Sequence, residues 1–184
     1  AGNKQWGGLM QDDVTDATKW LIEQGLSDPE RICIVGSSYG GYAALMGVIK
    51  EQGLYKCAIS VNGVTNIPAL KQHDRGFVGG RAWIKNMGLK DVPDKQVSPH
   101  HRAEDINVPV LLMSSKDDMR IPYRHSKSTH NRMKKLKKNS TYIEIKNGTH
   151  YMHTAQSRLT MLRASEKFLA EHIGHKTPTL AGSE

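Results

Sequence analysis

The chain has 184 residues, 38% hydrophobic and 24% charged, which is about one domain's worth of length with enough apolar material for a core. No run approaches the ~20 consecutive apolar residues of a membrane span, and collagen-like or disordered compositions do not fit, so a soluble globular chain is expected. The formal charge is +8, yet eight basic and no acidic residues fall between Arg120 and Lys138, leaving 18 of each sign elsewhere. The basic excess therefore belongs to one segment, and it does not by itself imply a polyanionic partner.

In chain order, residues 9–24 carry apolar side chains at Met10, Val14, Ala17 and Leu21, with Asp12 and Asp13 early and Gly25 as a stop. That spacing predicts a helix. Asp28-Pro29 turns the chain into a β-branched run at 31–35, read as a strand buried on both faces. Residues 39–50 are nearly all small or apolar, which predicts a buried helix close against a sheet. A strand at 56–61 leads into residues 62–108, punctuated by Pro68, Pro93 and Pro99 and read as a long irregular stretch with short helical possibilities. Strands at 108–113 and 141–145 flank a basic helix at 123–138, whose buried stripe is read as Met133 and Leu136. An amphipathic helix at 155–173 closes the chain, and the tail after Gly174 is expected to fray. Cys33 and Cys57 sit in apolar runs, where a thiol serves as a small hydrophobe, so no disulfide framework is expected. The opening residues show no targeting signal and read like the interior of a longer chain. Strands alternating with helices predict an α/β fold with a parallel sheet, helices on both faces and a ligand site at the carboxyl ends of the strands.

The first of those ends is Gly36-Ser37-Ser38-Tyr39-Gly40, a G-x-S-x-G match between a predicted strand and a predicted helix. A nucleophile elbow needs glycine around its serine because the serine occupies a strained turn, and the spacing selects Ser38 over Ser37. A hydroxyl is a weak nucleophile, so a base and a group that orients it must follow. After the third strand come Asp117 and Asp118, and after the fourth comes His150 in Asn147-Gly148-Thr149-His150. Surface solvation accounts for most of the other eight histidines, and no pair has the spacing of a helical metal site, so no metal or cofactor is expected.

Trp6-Gly7-Gly8 with Asp12-Asp13, Asp28-Pro29-x-Arg31-Ile32, Gly36-x-Ser38-Tyr39-Gly40-Gly41-Tyr42 and Gly148-x-His150 together resemble the prolyl oligopeptidase family, nearest its acylaminoacyl-peptidase and dipeptidyl-peptidase-like branch. The resemblance implies an α/β-hydrolase fold, of which residues 1–184 would be the C-terminal half: about four parallel strands with flanking helices, the upstream strands and a β-propeller lying outside the chain. It implies a serine peptidase acting on short peptides, with Ser38 as nucleophile, His150 as base and Asp118 as orienting acid. The family pattern D-x-x-V/T-P favours Asp118 because Pro122 follows it by four residues, which leaves Asp117 as runner-up. By the same resemblance Arg120 contacts substrate, Val64 and Ile67 line the pocket for the residue before the scissile bond, and the Tyr39 N–H is one oxyanion donor. The second donor, a tyrosine hydroxyl in the family, would come from the absent upstream part. Ser114-Ser115 and Thr149-His150-Tyr151 depart from the family's usual His-Gly and Gly-His-Gly-Phe, without touching a triad position.

Two expectations follow. The isolated chain should be weakly active or inactive for want of an oxyanion donor. The strand at 31–35 should form an apolar sheet edge that a homo-oligomer or a missing segment covers. The alternatives are a carboxylesterase or lipase with the same triad, and a non-catalytic basic module binding nucleic acid or a membrane. The cluster Lys134, Lys135, Lys137 and Lys138 surrounds Met133 and Leu136 with no aromatic residue interleaved for base stacking, which argues against that last role. The compartment, cytoplasm or periplasm, is left open.

Overall fold

The computed structural model describes residues 4–90 and 92–174. Its framework is a parallel sheet of β1 (Cys33–Ser37), β2 (Cys57–Val61), β3 (Val110–Ser115) and β4 (Ser140–Ile145), in that spatial order. One line of register runs Ile34, Ala58, Val110, Ser140 across all four. The expected α/β architecture is thus present. Strand β1 begins two residues later than expected and continues through Gly36 and Ser37, and β3 is likewise displaced to end at Ser115.

Alternation along the strands divides the core. Ala58, Val110 and Leu112 point towards α2 (Tyr39–Lys50) and α5 (Arg124–Lys135), where they meet Leu45, Val48 and Met133. Cys57, Ile59, Leu111 and Met113 point the other way, towards α6 (Ala155–Ile173) and its Phe168. Every residue of β2 and β3 is buried, as the near-continuous apolar runs of a sheet covered on both faces require.

Strand β1 departs from the expectation of burial on both faces. It lies at the sheet edge, and Val35 is 52% exposed. The reason is the placement of α6, which packs mainly across β2, β3 and β4, so that on the same face of β1 Cys33 joins the α6-side cluster while Val35 is left open. Among the described residues no strand pairs with the free side of β1.

The cysteines require a correction. Cys33 and Cys57 are register partners on adjacent strands, with Cα atoms 4.7 Å apart, and they are joined by a disulfide. Burial in apolar runs was legible, but the pairing depends on the β1–β2 register, which no single strand encodes. The bond closes a separation of 24 residues, a constraint on the unfolded chain worth about 3 kcal/mol. The double variant Cys33→Ala/Cys57→Ala should lower unfolding stability by about that much; an unchanged urea midpoint would count against it.

Helix α1 (Leu9–Glu23) forms where expected, but its buried residues are Gln11 and Thr15, whereas Ala17 and Leu21 of the predicted apolar stripe are exposed. Its links to the rest of the fold include the Lys50–Asp12 ion pair and a 3.0 Å hydrogen bond between Thr18 and the Tyr55 hydroxyl. Residues 62–108 are irregular apart from short helices, as expected. They hold α3 (Ile67–Asp74), started by Asn66, whose side chain accepts from Ala69 N–H, and α4 (Gly80–Asn86). In α5 the buried residues are His125, Ser126, Thr129 and Met133, while Leu136 is 40% exposed, so the stripe runs one turn earlier than Met133 and Leu136 suggested. No helix among the described residues is long and apolar enough to cross a membrane.

Candidate active site

The strand β1, the turn at Ser38 and the helix α2 follow one another without a linker. Ser38 has φ 56°, a left-handed conformation that a non-glycine residue adopts only under constraint. The constraint is visible on both sides: Ser38 N–H donates to Val61 O at 2.9 Å, and Ser38 O accepts from Tyr42 N–H at 3.2 Å. Close approach explains Gly36, where a Cβ would lie 2.1 Å from Gly40 O. The second demanding position is Gly41, whose Cβ would meet Gly63 Cα at 2.8 Å, whereas Gly40 faces open space. The expectation of two obligatory glycines beside the serine thus holds for Gly36 and moves from Gly40 to Gly41.

The three candidate side chains converge from the ends of β1, β3 and β4. His150 Nε2 lies 3.1 Å from Ser38 Oγ, and His150 Nδ1 lies 2.7 Å from Asp118 Oδ2. Asp118 is 4% exposed, and its Oδ1 accepts from Arg120 N–H at 2.8 Å and Ile121 N–H at 2.9 Å. These donors fix the carboxylate and leave its second oxygen for the imidazole. Asp117 is exposed, and its backbone N–H donates to Gly148 O at 3.0 Å. Of the two aspartates only Asp118 therefore meets the histidine. Tyr39 N–H, the first of α2, donates to no acceptor among the described residues and is available beside Ser38.

Asn62, at the end of β2, ties this arrangement together, and sequence reasoning passed over it. Its Oδ1 accepts from Ser115 N–H at 2.7 Å, while its Nδ2 donates to Ser115 Oγ and to His150 O, both at 3.2 Å. The only available signal was an Asn-Gly pair after a strand, which reads equally well as a turn. Asn62→Ala leaves the Ser115 N–H and the His150 carbonyl without these partners in a buried site, so a loss of about 2 kcal/mol is expected together with slower modification of Ser38. Thermal unfolding and labelling rate measured on one variant would check both.

Beside Ser38 opens a cavity of about 440 Å³ lined mainly by apolar and aromatic side chains. Val64 and Arg120 are among its lining residues; Ile67 is not, being fully buried in the core, with its N–H donating to Ser98 Oγ at 2.9 Å. The wall is instead completed by Trp6, Leu70, Phe77 and Trp83, several of them from the α3–α4 segment. A second recess of about 370 Å³ runs from Ser38 past His150 to Tyr151 and Arg158. Among the described residues no three metal-ligating side chains converge.

The sequence profile of the prolyl oligopeptidase family matches residues 1–176. The chain belongs to the prolyl oligopeptidase family. Among curated members of the family, dipeptidyl aminopeptidase BIII of Pseudoxanthomonas mexicana is 26% identical over 191 residues, covering 95% of this chain and 26% of the relative. The acylamino-acid-releasing enzyme of mouse is 22% identical over 91% of this chain and 24% of its own length. The chain spans about a quarter of the length of such relatives. Among solved structures, a puromycin-hydrolyzing peptidase of Mycobacterium tuberculosis superposes with a TM-score of 0.84 at 23% identity, over 94% of this chain and 26% of that one. The Pyrococcus horikoshii acylaminoacyl peptidase gives 0.82 at 23%, over 98% and 30%. The fold is therefore the α/β-hydrolase fold of prolyl oligopeptidase family members, as the motifs implied.

Proposed function

We propose that residues 1–184 form the C-terminal portion of a prolyl oligopeptidase-type catalytic domain and carry the acyl-transfer machinery of a serine peptidase acting on short peptides. The observation that carries this reading is His150 placed between Ser38 Oγ at 3.1 Å and Asp118 Oδ2 at 2.7 Å. In this reading Ser38 Oγ attacks the peptide carbonyl and His150 Nε2 takes its proton. Asp118 holds the imidazole with the proton on Nδ1, and His150 then gives the proton to the leaving amine. Water repeats the sequence on the acyl-enzyme and frees Ser38. Tyr39 N–H donates to the developing oxyanion, Val64 and Arg120 contact substrate, and the two recesses flanking Ser38 leave room for chain on either side of the scissile bond.

A single oxyanion donor leaves the tetrahedral intermediate under-stabilised, and loss of one such donor costs about 10²–10³ in turnover. The isolated chain is then a competent nucleophile but a slow peptidase. Labelling with a fluorophosphonate, read by intact mass, tests the two parts separately. One adduct is expected, absent in Ser38→Ala, with peptide nitroanilide turnover about 10²–10³ below that of a full-length family member. A folded chain that takes no adduct would remove the reading.

A further inference from the structure

The cavity beside Ser38 contains a charge for which the triad has no use. Asp74, the last residue of α3, lines the same space as Ser38, Tyr39 and Val64. The chain is held there locally: Phe77 N–H donates to Asp74 O at 3.1 Å. A Cβ on Gly80 would stand 1.7 Å from the same carbonyl oxygen, so only glycine lets α4 start so close to the end of α3. From α4, Trp83 donates its indole Nε1–H to Asp74 Oδ2 at 2.9 Å. Oδ1 has no hydrogen-bond or ion-pair partner among the described residues. Arg120 and His73 favour the ionised carboxyl, but burial outweighs them and pushes its pKa up. Arg120 forms no ion pair with it within 4.0 Å.

A carboxylate with one oxygen uncommitted, in a cavity whose lining is otherwise apolar and aromatic apart from Ser38 and Arg120, unpaired among the described residues, gains from a cation that reaches that oxygen directly. Charge-assisted hydrogen bonds are roughly twice as strong as neutral ones, and the rings of Phe77 and Trp83 add attraction for a cation lying over them. The cavity also suits the rest of such a side chain, since a lysine or arginine can lay its methylene stem along Val64 and Leu70 while its head reaches the acid.

We propose that Asp74 selects substrates bearing an ammonium or guanidinium side chain on the residue whose carbonyl Ser38 attacks. This rests on the reading of Ser38 as nucleophile, because the cavity that opens at Ser38 then receives that residue's side chain. Asp74 is thus a specificity residue and takes no part in the proton transfers.

The test uses two diphenyl phosphonates that differ only in an aminobutyl or a butyl side chain. Ser38 Oγ bonds to phosphorus, phenoxide leaves, and the serine proton ends on the phenol. The aminobutyl compound should label Ser38 at least about tenfold faster, and in Asp74→Asn, which still offers an oxygen to Trp83, the two rates should become similar. Equal rates in the unaltered chain, or a ratio that survives Asp74→Asn, would overturn the proposal. Calorimetric titration with benzamidine and its neutral analogue benzamide reads the same pocket without chemistry at Ser38. Binding of benzamidine alone, abolished in Asp74→Asn, supports the cation site, and indifferent binding of both overturns it. If neither phosphonate labels Ser38 while benzamidine binds selectively, the peptidase reading fails and the cation pocket stands.

Discussion

Asp118→Asn is expected to slow phosphonylation of Ser38 by about 10⁴-fold, whereas Asp117→Asn leaves the rate unchanged. The amide oxygen at position 118 can still accept from Arg120 and Ile121 N–H, which hold Asp118 Oδ1 at 2.8 and 2.9 Å, so the loop keeps its shape. The amide NH₂ then faces His150 Nδ1, where Asp118 Oδ2 accepts at 2.7 Å. A donor there forces the ring proton onto Nε2, and a protonated Nε2 cannot take the proton of Ser38 from 3.1 Å away. Asp117 is exposed and engages the site only through its backbone N–H to Gly148 O. Labelling rates of both variants beside unchanged melting temperatures would isolate this tautomer effect. Equal losses in the two variants would contradict the assignment of the orienting acid to Asp118.

Acid should destabilise the fold through His125, by about 3 kcal/mol between pH 6.5 and 4. His125 is 3% exposed on α5, neither ring nitrogen has a hydrogen-bond partner among the described residues, and His73 and His100 add like charge nearby. Burial, with these two histidines behind it, pushes its pKa down from 6.5 to about 4. Above the unfolded value both states are neutral and His125 contributes no pH dependence. As pH falls below about 6.5 the unfolded chain binds a proton that the folded chain refuses, so stability declines. The decline levels off near pH 4, where folded His125 also protonates. Urea unfolding of the unaltered chain and of His125→Leu at a series of pH values should show a steeper loss in the former. Parallel curves would exclude His125 as the cause.

The sequence carried some features plainly and others not at all. Helices α2 and α6 were legible to the residue, because an unbroken run of small and apolar residues and a long amphipathic period have little competition. Ser38 and His150 stood out because each lies just past a strand, where a parallel sheet gathers polar side chains, whereas position alone left Asp117 and Asp118 open and only the family resemblance favoured Asp118. What depends on two segments at once was not legible. The Cys33–Cys57 bond needs the β1–β2 register, the exposure of Val35 needs the position of α6, and Asn62 matters only because β3 and the His150 loop both come within reach. Ile67 failed for a related reason: an apolar residue in a pocket-bearing segment can face the pocket or the core, and here the first turn of α3 directs it to the core. His125 failed because most histidines are solvated, and one sealed between α5 and its neighbours leaves no trace in its local sequence.

The spatial order β1-β2-β3-β4 is also the order of synthesis. Each of β2, β3 and β4 therefore meets a neighbour that has already left the ribosome, and these strands can be laid down in one direction. Of the described strands β1 leads into Ser38, while His150 lies 112 residues further on, beyond β4. Until β4 is in place the Ser38 hydroxyl has no imidazole beside it and is no more reactive than any other serine. In the reading proposed above, the order of synthesis withholds the base from Ser38 until β4 has docked.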